Sequence, residues 1–209
     1  MVDKVREALL EDIKSLRHRA NKEILQKGNE APITLELLYF MAAVDKSIKL
    51  IDSFVYAMEK RNITVLAILT RVQMDCVFRT YALQLVDDRN KFCEEIFGEQ
   101  IQLNQLKDKN GNKMSDSYLA NEVGKWKHLP VYDLYKKVCG FVHFSDYNLH
   151  TMIHSIEDNS FRMTSFTENN PEENKETFDR LSIELGEHFY LFGSILIDDL
   201  FDSWVKQCL

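Results

Sequence analysis

Three charged residues at intervals of four mark the apolar segment 69–85. Its sequence, LTRVQMDCVFRTYALQL, carries Arg71, Asp75 and Arg79 among aliphatic and aromatic residues. Two guanidinium groups fixed on one side of a helix could line a cavity and hold a phosphate or carboxylate in bidentate fashion. The alternative is structural, because Asp75 can bridge both arginines within the helix, and a buried set of this kind must be fully paired. The spacing leaves both interpretations open, together with a third in which the stripe is simply a surface face of the helix.

The helical wheel separates this charged stripe from the other polar residues of the segment. At about 100° per residue, the charged stripe spans an arc of about 80°. The remaining polar residues lie on a different arc: Thr70, Gln73, Thr80 and Gln84. If the Thr and Gln arc faces solvent or a polar seam, the charged stripe points toward the protein. We therefore predict that Arg71, Asp75 and Arg79 face inward, toward the segment that contains His143.

A second polar concentration follows in residues 135–150, YKKVCGFVHFSDYNLH. His143 lies in an aromatic and aliphatic setting at or just past a predicted helix end, and Ser145 follows as a cap or turn residue. This histidine is either a satisfied core residue or a group that transfers protons or donates a hydrogen bond to a ligand held by the arginines. The predicted polar or ligand site has six members: Arg71, Asp75, Arg79, Tyr135, His143 and Ser145.

No metal or cofactor signature accompanies these residues. His150 and His154 are four apart in a predicted strand, without a supporting Cys or carboxylate at firm spacing. Glu184 and His188 are also four apart, whereas the di-iron carboxylate bundles use Glu-x-x-His. The sequence contains no glycine-rich phosphate loop, GxSxG or HExxH. We therefore expect no metal and no cofactor, and the motifs leave open whether the protein is an enzyme.

Helices must position these residues, since the 209-residue chain has only 7 Gly and 3 Pro. Apolar residues spaced by three or four predict four long helices, at about 2–27, 34–60, 62–87 and 171–206. Asn62 is a predicted N-cap, and Asn170-Pro171 is a predicted start of the last helix. Gly186 and Gly193 lie on nearly one side of that helix, where they allow close packing or a bend. The predicted fold is mainly α, an up-and-down bundle of these four helices.

The middle of the chain is predicted to be an insertion within a single domain. The domain covers residues 1–209 and the insertion covers about 88–168. Short helices are expected at NKFCEEIFG, SDSYLANEVGKW and VYDLYKKVCGFVHF. Alternating residues on either side of Asp158-Asn159-Ser160 predict one β-hairpin at about 151–166.

The composition bounds the partners and the compartment. The formal net charge of −7 counts against a nucleic-acid coating role, although a small basic site is compatible with it. Four cysteines without a CxxC pair, no N-terminal signal sequence and no apolar run of membrane-spanning length predict a reduced cytoplasmic protein that does not enter a membrane. The wide apolar faces of the second and last helices predict a homodimer seam.

Two segments carry a resemblance to a known group of proteins. The order LTRVQMDCVFRTYALQLVDD, then YDLYKKVCGFVHFS, then a hairpin and a long helix resembles an uncharacterised bacterial all-helical domain-of-unknown-function family over about residues 34–200. That family is more distantly similar to the HEPN helical bundles and abortive-infection proteins of phage defence. HEPN ribonucleases place an Arg and a His close together on one helix. This chain departs from that pattern, since neither Arg71 nor Arg79 is followed by a His in the same predicted helix.

Two functional hypotheses follow. The first is a non-enzymatic ligand-binding or interaction module in bacterial stress or phage defence, with a homodimer and a small anionic ligand or RNA as expected partners. The alternative is a HEPN-like, metal-independent ribonuclease. In that case Arg71 and Arg79 stabilise the phosphate charge and His143 transfers protons. The geometry that joins these three residues discriminates between the hypotheses.

Overall fold

A computed structural model describes residues 2–23, 33–142, 153–157, 160–163 and 175–208 of the protein. Within these residues the fold is mainly α, as the sequence predicts. The main elements are α1 (Val2–Glu23), α2 (Leu35–Glu59), α3 (Ile63–Tyr81), α4 (Arg89–Phe97), α5 (Asp116–Lys127), α6 (Val131–Val142), β1 (Ile153–Glu157), β2 (Ser160–Met163), α7 (Lys175–Ser194) and α8 (Asp202–Cys208). Two short 3₁₀ helices, Ala82–Gln84 and Leu103–Gln105, lie between them, and a π-helical segment, Ile195–Phe201, joins α7 to α8.

Side-chain caps determine where α2 and α3 begin. The Thr34 hydroxyl accepts a hydrogen bond from the Leu37 amide at 3.1 Å, and the Asn62 side chain accepts one from the Val65 amide at 3.0 Å. Each cap satisfies an amide that has no partner within its helix. The prediction of Asn62 as an N-cap is confirmed. The third helix ends earlier than predicted, because the chain tightens into a 3₁₀ turn directly after Tyr81.

The terminal helix α7 runs parallel to both α1 and α3. Arg6, near the start of α1, bonds to Asp179 at 3.2 Å, and Arg19, near its end, bonds to Ser194 at 3.0 Å. The contacts along α3 advance in the same order: Thr70 with Leu185 and Phe78 with Phe192. Higher residue numbers in one helix thus meet higher numbers in the other. The three helices share one direction.

Helix α2 runs against the other three. Its late residue Phe54 stacks on Phe189 at 4.2 Å between ring centroids, whereas its early residue Phe40 lies 5.3 Å from Trp204. The predicted up-and-down order is therefore wrong for the last helix. The long connection between α3 and α7 returns the chain to the end at which α3 began, so that α7 starts beside the start of α3. A long crossover of this kind replaces the short loop that would force an antiparallel neighbour.

Two glycines let α1 approach α7 closely. A Cβ atom at Gly186 would lie 2.6 Å from Cδ2 of Leu9, and one at Gly193 would lie 2.6 Å from Cδ1 of Leu16. Cβ atoms essentially never lie so close to another heavy atom, so a larger residue would force the leucine side chains or the helices to shift. The prediction that these glycines allow close packing is confirmed. The π-helical segment begins two residues after Gly193.

In the region where the sequence predicts a hairpin, β1 and β2 pair antiparallel. Glu157 lies opposite Ser160 and Ile153 opposite Met163, with an irregularity between Ile153 and Ser155. The predicted helix start at Asn170-Pro171 lies outside the described residues, as do His143 and Ser145.

The buried apolar side chains of the described residues form one contiguous cluster. Its largest fully buried members include aromatic residues from α2, α3, α7, α8 and the π-helical segment: Phe40, Phe54, Phe78, Phe189, Phe192, Phe201 and Trp204. Helices α5 and α6 pack on α3 at the side of this core. Among the described helices, none combines the length and the apolarity that a membrane crossing requires.

Candidate functional site

Arg71 is the centre of a partly buried polar network between α3, α5 and α6. Its side chain is 12% exposed. Nη1 donates to the Asp75 carboxylate one turn further along α3, and Nη2 donates to Oδ2 of Asp116 on α5 at 2.7 Å. Nε donates to the Sγ atom of Cys139 on α6 at 3.4 Å. All three nitrogens of the guanidinium group therefore have acceptors from the protein itself.

An aromatic ring covers one face of the same guanidinium group. The Cζ atom of Arg71 lies 4.6 Å from the ring centroid of Tyr135, which is cation–π distance. Tyr135 stacks on Tyr132 at 6.3 Å and lies 6.1 Å from Phe78. Burial raises the pKa of the Tyr135 hydroxyl, and a hydrogen bond with Cys139 adds to the shift. The Arg71 guanidinium group is thus surrounded by four side chains: Asp75, Asp116, Cys139 and Tyr135.

The charge of Arg71 is secured by its carboxylate partners. Burial alone would lower the pKa of the guanidinium group, but the hydrogen bond and the charge of Asp75, together with smaller contributions from other neighbours, outweigh burial and raise it above its ordinary value. Cys139 and Asp116 contribute in the same direction. The side chains of Asp75 and Asp116 are 26% and 38% exposed, so both carboxylates reach water at the edge of the network.

Asp116 is held in place by the loop that precedes α5. The Asp108 carboxylate accepts hydrogen bonds from the amides of Asn110 and Asn112 at 2.9 and 2.7 Å, and from the Tyr118 hydroxyl at 2.6 Å. Burial alone would raise the pKa of Asp108, but these hydrogen bonds, that of Tyr118 first, lower it to about 2. Since Tyr118 lies in the first turn of α5, the ordered loop fixes the helix start that carries Asp116.

Sequence reasoning missed Asp116, Cys139 and Asp108 as members of this region. Asp116 had a local signal, since it follows Ser115, whose hydroxyl accepts a hydrogen bond from the Tyr118 amide at 3.3 Å and caps α5. That signal predicts a helix start but not the partner of the aspartate. The contacts of Arg71 with Asp116 and Cys139 join residues 45 and 68 positions apart, which no periodicity encodes.

The Thr and Gln arc of α3 faces the core. Thr70, Gln73 and Thr80 are fully buried. Gln73 donates from Nε2 to the Ser47 hydroxyl at 2.6 Å, and the Thr70 hydroxyl donates to the Leu66 carbonyl at 2.9 Å. This arc forms a polar seam between α2, α3 and α7, and Arg71 lies on another side of α3, against α5 and α6.

The charged stripe turns outward along α3, so the prediction that all of it faces inward is wrong for Arg79. The Arg79 side chain is exposed, and among the described residues it has no carboxylate partner. Its carbonyl oxygen accepts a hydrogen bond from the Tyr39 hydroxyl at 3.3 Å. Residues four apart on a helix differ in direction by about 40°, so Arg79 points about 80° away from Arg71. Arg79 therefore lies outside the part of α3 that α5 and α6 cover.

Helix α6 runs antiparallel to α3 and leads the chain away from Arg79. Tyr135, early in α6, contacts both Phe78 and Arg71, whereas Cys139, one turn later, contacts Arg71. Arg71 and Arg79 are themselves separated by about 12 Å along the helix axis. The structure therefore brings together Arg71, Asp75 and Tyr135 of the six predicted site residues and leaves Arg79 apart from them. His143 and Ser145 lie outside the described residues.

A titratable histidine, His188, lies where α6 packs on α7. Lys137 forms an ion pair with Glu184, and His188 lines the same small cavity. Burial lowers the pKa of His188, although the charge of Glu184 opposes the shift. The cavity volume is about 10 Å³, which is the room that a single water needs. No three His, Cys, Asp or Glu side chains in the described part of the chain converge to hold a metal ion.

Comparison of the chain with protein-family models, curated proteins and solved structures gives no match. The resemblance to the bacterial domain family and to HEPN proteins therefore stays a prediction.

Proposed function

We propose that the protein is a non-enzymatic helical-bundle module that acts by binding other molecules. The observation that carries this proposal is the closure of the Arg71 network by its own acceptors. Bacterial stress or phage defence is the setting that the resemblance of the α3 and α6 segments implies.

Charge balance argues against an anion clamp at Arg71. One guanidinium group faces two carboxylates, Asp75 and Asp116, so the cluster carries a formal charge of −1. Two like unit charges about 4 Å apart repel by about 4 kcal/mol at the effective dielectric constant of a protein surface. A phosphate would have to displace one carboxylate before it could use the Arg71 donors. The network is therefore suited to holding α5 and α6 on α3.

The alternative function is the metal-independent ribonuclease, and one observation favours it. Arg79 is an exposed cation without a carboxylate partner among the described residues, so it is free to contact a phosphate. The reaction would also need His143 as the proton-transferring group. Since α6 leads away from Arg79 up to Val142, the following segment would have to turn back along α3 to bring the two residues together.

Cleavage of a labelled RNA without added metal tests the two functions. The purified protein is compared with Arg79→Ala and His143→Ala variants in the presence of a chelator. Lys46→Ala is the matched control, because Lys46 is an exposed cation on α2 that also lacks a carboxylate partner in the described structure. The module proposal predicts no cleavage above background by any of the four proteins. Cleavage that both Arg79→Ala and His143→Ala abolish, with unchanged thermal unfolding and an active Lys46→Ala, would overturn it.

Several finer predictions belong to this proposal. We propose a cytoplasmic location and no association with membranes. We also propose a homodimer, with a small anionic ligand or RNA as a further partner. The single domain over residues 1–209 and the absence of a bound metal or cofactor likewise stay predictions.

A further inference from the structure

A group of exposed apolar side chains lies on α2 and α4. Near the start of α2 and at the end of α4, four large apolar residues are exposed by a third or more of their surface: Ile33 at 86%, Leu35 at 36%, Leu38 at 46% and Phe97 at 46%. We call these four residues the α2–α4 face. Large contiguous apolar patches are uncommon on monomeric proteins and mark interaction sites.

Tyr39 joins the α2–α4 face into one surface. Its ring centroid lies 5.9 Å from that of Phe97 and 6.0 Å from that of Phe92, both edge to face. Its hydroxyl reaches the Arg79 carbonyl on α3. Helix α2 packs on both α3 and α4. Tyr39 joins the three helices, since its ring contacts α4 and its hydroxyl reaches α3.

The exposed side of α2 changes from apolar to charged after its first two turns. Leu35, Leu38 and Ala42 are exposed there, and they are followed along the same side by Lys46 and Lys49. The apolar surface is therefore bounded along the helix. The last helix, whose wide apolar face predicts a dimer seam shared with α2, presents no exposed large apolar residue among its described side chains. Helix α4 takes that place.

The helices at the rim of the α2–α4 face carry exposed charges of opposite sign. Lys46 on α2 and Arg79 on α3 are exposed cations, whereas Glu94 on α4 and Glu99 just after it are exposed anions. Among the described residues none of the four belongs to an ion pair, whereas Arg89 on α4 and Glu36 on α2 are paired at 3.2 Å. A rim of a single sign would fit a partner of the opposite charge. A rim divided in this way is complementary to itself after a rotation of about 180°.

We propose that the α2–α4 face pairs with the same face of a second copy of this chain. Leu38 and Phe97 lie close to the two-fold axis of this dimer. Lys46 and Arg79 of each copy lie opposite Glu94 and Glu99 of the other. The apolar centre supplies the affinity, and the divided rim sets the orientation of the two copies. This inference names the partner and the surface for the binding role proposed above, and it rests on that role.

Sedimentation velocity of the purified full-length protein over a wide concentration range tests the dimer. We expect the wild-type protein to dimerise. Leu38→Glu and Phe97→Glu should each raise the dissociation constant of the dimer by about 30-fold or more, as substitutions of central interface residues do. Both side chains are exposed, so circular dichroism and thermal unfolding of the separate variants should stay close to wild type. Tyr56→Glu is the matched control, because Tyr56 is 61% exposed on α2 outside the face, and this variant should dimerise like the wild-type protein.

The charged rim has its own test. Arg79→Glu should weaken the dimer, and a second change, Glu94→Arg, should restore it, because the two charges are exchanged across the two-fold axis. A wild-type protein that is monomeric throughout the range would overturn the proposal, as would a dimer that Tyr56→Glu breaks and Leu38→Glu does not. The RNA assay is independent of these outcomes. A monomer without ribonuclease activity contradicts only the α2–α4 interface, and a dimer that cleaves RNA through Arg79 contradicts the non-enzymatic role.

Discussion

Replacing Arg71 with methionine removes one cation from the network between α3, α5 and α6 and keeps most of the aliphatic side chain. The variant loses the hydrogen bonds to Asp75, Asp116 and Cys139 and the contact of the cation with the Tyr135 ring. It leaves two carboxylates facing each other at the edge of the core. Both the lost bonds and the new repulsion destabilise the folded state.

The expected loss lies between the values for buried and surface ion pairs. Removing one partner of a buried pair costs about 3–5 kcal/mol, whereas exposed pairs contribute about 0–1 kcal/mol. Arg71 is 12% exposed, but Asp75 and Asp116 are 26% and 38% exposed, so water can partly solvate the carboxylates that remain. We therefore expect the free energy of unfolding of Arg71→Met to fall by about 2–3 kcal/mol.

Equilibrium urea unfolding, followed by circular dichroism, measures this loss. Arg79→Met is the matched control, because it makes the same chemical change two turns further along α3 at an exposed site, where about 0.5 kcal/mol or less is expected. Adding Asp116→Asn to Arg71→Met should recover part of the loss, since it removes one of the two repelling charges. Equal losses for Arg71→Met and Arg79→Met, with unchanged urea dependence, would refute the account of the network.

Three further outcomes are expected. The pKa of Asp108 is lowered to about 2 from 3.8, so its contribution to stability is present above about pH 4 and is lost as the pH falls toward about 2. In urea unfolding, the free energy of unfolding of Asp108→Asn should therefore fall less steeply with decreasing pH than that of the wild-type protein. An unchanged slope would contradict the role of the loop that carries Asp108. Gly193→Ala should lower the free energy of unfolding by about 1–3 kcal/mol, because its Cβ atom would meet the buried Leu16 side chain and lie 3.2 Å from Nε2 of Gln73, and a stability equal to wild type would mean that these side chains move aside for the methyl group. Thiol alkylation of the native protein near pH 8, read by peptide mass spectrometry, should modify the partly exposed Cys139 before Cys76 and Cys93. Cys76 and Cys93 are buried, and burial raises their pKa values to about 11 and about 12. Modification of Cys76 before Cys139 would contradict the packing of α3.

The helices that carry the candidate site could largely be predicted from neighbouring residues. Stripes of apolar residues located α1, α2 and α3, and the side chain of Asn62 caps α3 as expected. A cap and an apolar stripe depend on residues within about four positions, which is the range of a helical hydrogen bond. Gly186 and Gly193 were also informative, because a repeated absence of side chains on one helix side predicts a close neighbour.

The direction of α7 could not be predicted in the same way. A short loop forces an antiparallel neighbour, as between α2 and α3, but the long connection from α3 to α7 permits either direction. The contacts of α7 with α1 and α3 show that it is parallel to both. The composition of the insertion does not indicate whether α7 is parallel or antiparallel to α3. That direction follows from how the insertion packs and where it returns the chain.

By itself, the sequence determined where the long helices lie, the Asn62 cap and the alignment of Arg71, Asp75 and Arg79 on one stripe, because these follow from local spacing along a helix of known pitch. Only the tertiary structure decided what each charge does. Asp116 and Cys139 come from distant parts of the chain to surround Arg71, whereas Arg79, two turns away, stays exposed beside the α2–α4 face. The energy of a charge depends on its burial and on the partners that packing brings to it, so identical residues on one stripe acquire different roles.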